Sequence, residues 1–170
     1  DRRRRSGPLV SDAINANRQS AEARPGLPKA DPVEPLAFRW TALDADDSTL
    51  VAFLKLNEAH NWAEFTDALR SFVVPSQNFV YADVDGHIGY AMSGRIPLRG
   101  SSDGGTPVPG WTGEYEWAGS VPPQSLPVMR DPPSGQIVTA NNEIDRHWPK
   151  TMTRDWVSPF RSMRIAQMLG

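Results

Sequence analysis

Two polar positions in the last third of the chain have residue types that could take part in chemistry. The first is Asn141-Asn142, which ends a segment, Gly135–Ala140, that the pattern predicts to be a short strand. A side-chain amide at a strand end can hold an N–H group toward a developing oxyanion. Asparagine is also common in turns, and from spacing alone an asparagine turn is the favoured interpretation.

The second position is Arg161. The pattern predicts that the last helix begins at Ser158 with Pro159 in its first turn, so Arg161 falls in the same turn. A cation there opposes the helix dipole, which is a small cost. Pairing with a carboxylate, or orienting a group of a site, would offset that cost. The alternative is an exposed arginine.

The other common catalytic and metal-binding motifs are missing from the sequence. His60, His87 and His147 have no metal-site spacing, and no GxSxG elbow, P-loop or GxGxxG occurs. The chain has no cysteine, which excludes disulfides, thiolate zinc sites and a cysteine nucleophile. A formal net charge of −2 gives no reason to expect nucleic acid or an anionic membrane as a partner. No apolar run approaches the roughly 18 residues of a spanning helix.

The sequence pattern predicts both helices and strands around these groups, which indicates an α+β protein. We expect one partial domain over residues 1–170, weakly structured and proline-rich over 1–35 and globular over 36–170. An acidic run at 44–48 predicts the start of a helix over about Thr49–Ala59, since carboxylates favour the positive end of the helix dipole. That helix is expected to bury Leu50, Phe53, Leu54 and Leu56.

A second helix is predicted from Asn61 to Pro75. Asn61 is a good N-cap, and Glu64 stands where a capping box needs it. The apolar stripe of this helix is expected to comprise Trp62, Phe65, Leu69 and Phe72. The last helix is expected to bury Met163, Ile165 and Met168 or Leu169.

Strands are predicted around a turn. Asn78–Asp83 and His87–Ser93 flank Asp85-Gly86, which is typical of a hairpin with a two-residue turn. Further strands are expected at Gly7–Ser11 and Leu36–Leu43. Residues 97–135 are rich in glycine, proline and tryptophan, and they predict an irregular region. Large aromatic side chains in such a region often line clefts, and here they are Trp111, Tyr115 and Trp117.

The order of several motifs resembles the penicillin acylase family over almost the whole chain. Asn78–Tyr90 resembles the family's YADVDGNIGY hairpin, and Asn61–Phe65 resembles its NW-E-F helix. The remaining matches follow in the family's order, and they are Gly7-Pro8, Leu36–Thr41, Pro107–Trp111, Glu116–Gly119, Pro133–Asn142, Asp155-Trp156 and Arg161.

This resemblance implies a fragment of an N-terminal-nucleophile hydrolase with the αββα sandwich fold. Such enzymes cleave their own precursor into α and β chains, and the new first serine of β attacks an amide carbonyl while its α-amine acts as base. The family's oxyanion asparagine matches Asn141, and its arginine that orients the serine amine and the asparagine matches Arg161. Residue 1 is Asp, so the nucleophile is expected to lie outside this chain, upstream of Gly7. The chain therefore looks like an internal, processed or excised piece of β.

The resemblance also implies partners and a location. We expect the rest of β and the α chain as partners, a small-molecule amide as substrate, and a periplasmic or secreted protein. Calcium is possible in the parent, but its ligands are not matched here: one proline carbonyl falls near Gly104, and a later acidic ligand has no match between Pro149 and Asp155. We therefore expect no metal site and no cofactor in this chain.

The sequence is compatible with three functions. The first is hydrolysis of a linear amide by the parent, releasing an acyl group from a β-lactam or from an acyl-homoserine lactone. The second is a non-catalytic folding or interaction module, since the isolated chain lacks a complete catalytic set. The third is a sugar-binding or wall-binding module that uses exposed tryptophans, which leaves the motif order unexplained.

Overall fold

The structure of the protein is a computed structural model, and it describes residues 7–22, 31–143, 152–153 and 155–170. Its helices are α1 (Ser11–Glu22), α2 (Thr49–Glu58), α3 (Trp62–Leu69) and α4 (Phe160–Leu169). Its strands are β1 (Gln77–Ala82), β2 (Ile88–Ser93), β3 (Pro97–Arg99), β4 (Trp117–Ser120) and β5 (Val128–Arg130). Short 3-10 turns lie at Thr41–Leu43 and Pro123–Ser125. One antiparallel sheet has the order β1-β2-β5 and a second pairs β3 with β4, so the predicted α+β class is confirmed.

The start of α3 shows the predicted cap. Oδ1 of Asn61 accepts the backbone N–H of Glu64 at 3.0 Å, while Oε2 of Glu64 accepts the backbone N–H of His60 at 2.8 Å. The reciprocal bond of the box therefore reaches one residue further back than the usual pattern. The helix ends at Leu69 and not at Pro75 as predicted, and Phe72 enters the core from the turn that follows.

Helix α2 begins where predicted, but its buried face is different. The carboxylate of Asp47 accepts the backbone N–H of Thr49 at 3.0 Å, which satisfies one free donor of the first turn. The hydroxyl of Thr49 accepts the N–H groups of Val73 and Val74 and so ties α2 to the end of the helix pair. Among the described residues, only Ala52 of α2 is buried.

The prediction that the larger apolar side chains of α2 are buried was mostly wrong. Leu50 is 73% exposed, Leu54 58% and Phe53 48%, while Leu56 is partly buried against the core. The reason is geometric: Ala52 and Leu56 face the core, and Phe53 contacts the ring of Phe72 edge-on. The described residues leave Leu50 and Leu54 largely uncovered.

The β1–β2 hairpin is present, but its turn is longer than the predicted two residues. Asp83 and His87 are joined by a backbone hydrogen bond, and the carbonyl of Asp83 accepts the N–H of Gly86 at 3.2 Å. Gly86 has φ +86°, as expected where a turn is followed by a left-handed residue. The Asp83 carboxylate accepts the N–H groups of Asp85 and His87 and thereby stabilises the wider turn.

One face of the hairpin packs on the helix pair and forms the main core. Phe65, Leu69 and Ala91 are buried, and Trp62, Phe79, Tyr81, Leu56 and Ala59 pack around them. Burial of each large apolar side chain contributes about 1.5–3 kcal/mol. Gly89 lies directly under the Trp62 ring, and a Cβ there would collide with it. A second, smaller cluster consists of Ile96, Val121 and Leu126, with Met92 of β2 and Leu98 of β3 packed against it.

The N-terminal part differs most from the sequence-based expectation. Ser11–Glu22 was predicted to be weakly structured and forms a helix instead. Amide groups of Asn15 pair with both backbone groups of Val33, at 3.1 and 2.8 Å, and hold the helix against the extended segment that follows. The helix was not predicted because polar contacts with a distant segment hold it, and such contacts produce no apolar periodicity in the sequence. Residues 1–6 and 23–30 lie outside the described residues.

Three further strand predictions need correction. Gly7–Ser11 and Leu36–Leu43 meet only in an isolated bridge between Leu9 and Ala37, and Thr41–Leu43 is a 3-10 turn. Gly135–Ala140 forms no ladder with any described strand. Conversely, β3, β4 and β5 lie in the region that was expected to be irregular, because strands of three or four residues carry too little alternation to detect.

Helix α4 is exposed along its apolar face, contrary to prediction. Met163 is 54% exposed, Met168 71%, Leu169 59% and Ile165 40%. Among the described helices, none is long and apolar enough to cross a bilayer.

Replacing the α3 cap is expected to weaken folding. In Asn61→Ala the N–H of Glu64 loses its acceptor, so the free energy of unfolding should fall by about 1 kcal/mol. Denaturant unfolding of the full-length protein measures this. The matched control is Asn57→Ala on the exposed surface of α2, which should change stability little. Equal losses in the two variants would contradict the capping role.

The turn carboxylate is expected to make stability fall in acid. Hydrogen bonds from the His87 N–H and the Tyr81 hydroxyl hold the pKa of Asp83 below its ordinary value of 3.8. A depressed carboxyl pKa stabilises the fold at pH values above the unfolded pKa, and this stabilisation is lost as pH falls through the folded pKa. In Asp83→Asn, the loss of stability between about pH 5 and about pH 2 should therefore be smaller.

Unfolding titrations at several pH values test this second prediction. Asp85→Asn is the matched control in the same turn, because the Asp85 carboxylate accepts no hydrogen bond from a described residue. An unchanged acid dependence in Asp83→Asn would show that the bonds to Asp83 do not persist in solution.

Candidate active-site wall

The structure brings Asn141 and Arg161 into direct contact. Nη2 of Arg161 donates to Oδ1 of Asn141 at 2.6 Å and to the carbonyl oxygen of Ala140 at 2.6 Å. A guanidinium has only donors, so the amide must turn its oxygen toward the arginine. Its Nδ2 then points away from the arginine, and among the described residues no acceptor takes a hydrogen bond from it. The result is an amide N–H donor held in one orientation.

The backbone at Asn141 is in the left-handed region, with φ +63°. Asparagine enters this region more readily than other residues with a side chain. The carbonyl of Asn141 accepts the N–H of Val157 at 3.0 Å, which joins the turn to the segment that leads into α4. The turn is therefore fixed through its backbone as well as through Arg161.

Asn142 supplies the turn that was the favoured interpretation of the Asn-Asn pair. Its Oδ1 accepts the N–H of Ala140 at 3.1 Å, and its Nδ2 donates to the carbonyl of Glu143 at 3.1 Å. The two asparagines thus have separate tasks. The second closes the turn, and the first projects its amide from it.

Arg161 lies in the first turn of α4, which begins two residues later than predicted, at Phe160. Among the described residues, its hydrogen-bond partners are two neutral carbonyl oxygens and no carboxylate. These bonds offset the unfavourable position of a cation at a helix N-terminus. Arg161 is exposed, as one interpretation expected, and it also contacts the side chain of Asn141.

The aromatic residues of the 97–135 region line a different part of the molecule. Trp111, Tyr115 and Trp117 border a groove of about 630 Å³, together with Phe38 and Arg39. The guanidinium of Arg39 lies 4.7 Å from the ring centroid of Trp117, a cation–π contact. Neither Asn141 nor Arg161 lines this groove. No sequence pattern marked Phe38 and Arg39 as groove residues, because they fall in a segment predicted to be a strand.

A metal site does not emerge from the part of the chain that the structure describes. No group of three or more histidine, aspartate and glutamate side chains there could hold a metal ion. His147 and most of the span between Pro149 and Asp155 lie outside the described residues.

The chain is similar in sequence to a known protein family. The chain matches the protein-family model described as penicillin amidase over residues 2–170. It is 37% identical over 143 residues to penicillin acylase 2 proenzyme of Pseudomonas sp. strain SE83, a match that covers 82% of this chain and 18% of that protein. It is 33% identical to acyl-homoserine lactone acylase QuiP of Pseudomonas aeruginosa, covering 98% of this chain and 19% of that protein.

A solved structure is also similar. A thermostable penicillin G acylase from Alcaligenes faecalis superposes with a TM-score of 0.63 at 30% identity, covering 74% of this chain and 23% of that chain. The chain therefore spans about a fifth of the curated relatives it matches.

Removing the arginine is expected to release the Asn141 amide. Arg161→Met keeps most of the alkyl stem but offers no donor, so the Asn141 side chain should leave its present orientation while α4 stays helical. A crystal structure of the full-length variant shows this directly. The matched control is Arg164→Met, one turn along the same helix, which should leave Asn141 in place. An unmoved, equally ordered Asn141 in Arg161→Met would contradict the orienting role.

Proposed function

The chain belongs to the penicillin amidase family, and we propose that it forms part of the active-site wall of an amidohydrolase. In this proposal the chain contributes the groups that stabilise negative charge, and the nucleophile comes from another part of the parent protein. The observation that carries the proposal is the contact between Arg161 and Asn141, which fixes an amide N–H donor.

The proposed reaction is acyl transfer to an N-terminal serine, followed by hydrolysis. The serine oxygen forms a bond to the amide carbon, its proton passes to the serine's own α-amine, and the carbonyl oxygen becomes an oxyanion. Collapse of this intermediate breaks the C–N bond, and the departing amine takes up the proton. Water then hydrolyses the acyl ester and regenerates the serine. All of these groups are protein groups or water, so we propose no cofactor for the step.

Asn141 is proposed to donate from Nδ2 to the oxyanion. Arg161 acts on the other end of the same amide, where its charge increases the polarisation of the group that donates. Because the bond from Arg161 is already formed before reaction, the donor needs no reorganisation when charge develops.

The proposed substrates are linear amides with a small-molecule amine. Relatives are named as a penicillin acylase and as an acyl-homoserine lactone acylase, and the second matches nearly the whole chain. Both names describe removal of an acyl group from an amine. We propose the same bond for this protein, with a β-lactam amine or homoserine lactone as leaving group.

The proposed partners are the remainder of the β chain and the α chain of one precursor. The apolar faces of α2 and α4 are exposed among the described residues, which supports packing against further protein. We propose a periplasmic or secreted location, as the family resemblance implies.

Loss of the amide at position 141 is expected to impair turnover without unfolding the protein. In the full-length enzyme, Asn141→Ala removes the proposed donor and should lower kcat by about 10²–10³ on a chromogenic phenylacetyl amide or an acyl-homoserine lactone. Asn141→Gly is the sharper variant, because glycine retains the left-handed backbone at no steric cost. Asn142→Ala tests the neighbouring turn.

The comparison of these variants separates chemistry from folding. Asn141→Gly should lose activity at nearly normal stability, while Asn142→Ala should lose stability and keep more activity. Normal turnover in Asn141→Gly would refute the proposed donor. Hydrolysis by the 170-residue chain alone would refute the proposal that the nucleophile lies elsewhere.

A further inference from the structure

We propose that Tyr90, Asn78 and Thr139 form a hydrogen-bonded chain that positions Asn141 for the reaction. This inference rests on the proposed function, and it adds three positioning residues that would act through Asn141.

The chain begins in the sheet with a buried hydroxyl. Tyr90 lies in the middle of β2 and is only 2% exposed. Its hydroxyl donates to Oδ1 of Asn78 at 2.6 Å. Loss of this bond would leave the buried Tyr90 hydroxyl without its Asn78 acceptor, at a cost in folding free energy. The bond therefore holds the Asn78 amide with its oxygen toward Tyr90.

The next bond leaves the sheet. With its oxygen on Tyr90, the Asn78 amide presents Nδ2 in the opposite direction, and this group donates to Oγ1 of Thr139 at 2.8 Å. The two residues are 61 positions apart in sequence. Thr139 precedes Asn141 by one intervening residue, Ala140, whose own carbonyl accepts from Arg161.

These residues occupy the face of the hairpin that the helices do not use. Asn78 pairs with Met92 and Val80 pairs with Tyr90, so all four side chains point to the same side. Phe79 and Ala91 point to the other side, into the helix-packed core. Asn78 and Tyr90 are diagonal neighbours, a spacing that long side chains can bridge.

Among the described residues, few long-range hydrogen bonds hold the half-buried segment that receives this bond. Residues 136–139 form no ladder with a described strand. Within the described structure, residues 136–142 make long-range hydrogen bonds to three residues. Arg161 and Val157 bond to Ala140 and Asn141, and Asn78 bonds to Thr139. Asn141 is thus held from both sides, by Arg161 after the turn and by the sheet before it.

The expected consequence is precise placement of Nδ2. Misplacement of a reacting group by about 1 Å can cost about 10²-fold in rate. Loss of the Thr139 bond frees one side of the turn while Arg161 still holds the other. We therefore expect an intermediate effect, roughly tenfold or more on kcat, with KM little changed because no substrate contact is lost.

The experiment uses the full-length enzyme and a chromogenic phenylacetyl amide. Thr139→Val keeps the shape of the side chain and removes the acceptor, so kcat should fall and KM should hold. Thr139→Ser retains the hydroxyl and should restore most of kcat. Tyr90→Phe leaves Oδ1 of Asn78 without the Tyr90 donor and should also lower kcat. If Thr139→Val does not fold, Thr139→Ala gives the same comparison with a smaller side chain.

The matched control lies on the other face of the same strand. The Ser93 hydroxyl is buried and donates to the carbonyl of Leu69 at 2.8 Å, so Ser93→Ala also removes a buried bond of β2. It should reduce stability and leave kcat unchanged. An equal fall of kcat in Ser93→Ala and Thr139→Val would overturn the proposal, because it would show a general effect of loosening the sheet.

A double-variant cycle gives the decisive readout. In the Asn141→Gly background the group to be positioned is absent, so adding Thr139→Val should lower kcat no further. The same fractional loss in both backgrounds, or a normal kcat in Thr139→Val alone, would overturn the positioning role. Normal turnover in Asn141→Gly itself would instead sink the proposed function, so the two failures are distinguishable.

Discussion

The antiparallel pairing of Gln77–Ala82 with Ile88–Ser93 is the interaction on which the other parts of this structure depend. Its side chains alternate between two faces, and each face has a different partner. The apolar face completes a core with α3, and the opposite face carries the polar chain that reaches Thr139. A slip of one residue in this register would exchange the two faces and remove both sets of contacts at once.

The candidate site is consequently assembled from segments with little regular structure of their own. Asn141 sits in a turn, and residues 136–139 before it pair with no described strand. Its placement comes from Arg161 at the start of a helix and from Asn78 in a sheet. The proposed function would use a loop that rigid elements hold from two directions, an arrangement common for residues that bind or react.

Local chemistry could be read from the sequence, and long-range contacts could not. The Asn61 cap and the position of the hairpin follow from neighbouring residues, and both are present. The hairpin turn was misjudged because the Asp83 carboxylate stabilises a wider loop than Asp85-Gly86 alone requires. The exposed faces of α2 and α4 were misjudged for a different reason. Apolar periodicity indicates that a helix face is suited to burial, but it does not show that the covering surface lies within the same 170 residues.

The candidate site was only partly predictable. Residue type and spacing identified Asn141 and Arg161 as two separate possibilities, and the family resemblance assigned them to one site. Nothing local marked Asn78 or Thr139, since their bond spans 61 positions.

The left-handed backbone of Asn141 restricts which replacements evolution can sample there. A φ of +63° admits glycine, asparagine and, less readily, aspartate, and it penalises branched side chains. Glycine has no amide to donate. Aspartate would have nearly the same shape and would form an ion pair with Arg161, but it would offer a second negative charge where one must develop. The backbone geometry therefore disfavours branched side chains, and the proposed chemistry excludes glycine and aspartate. Asparagine is the residue that satisfies both requirements.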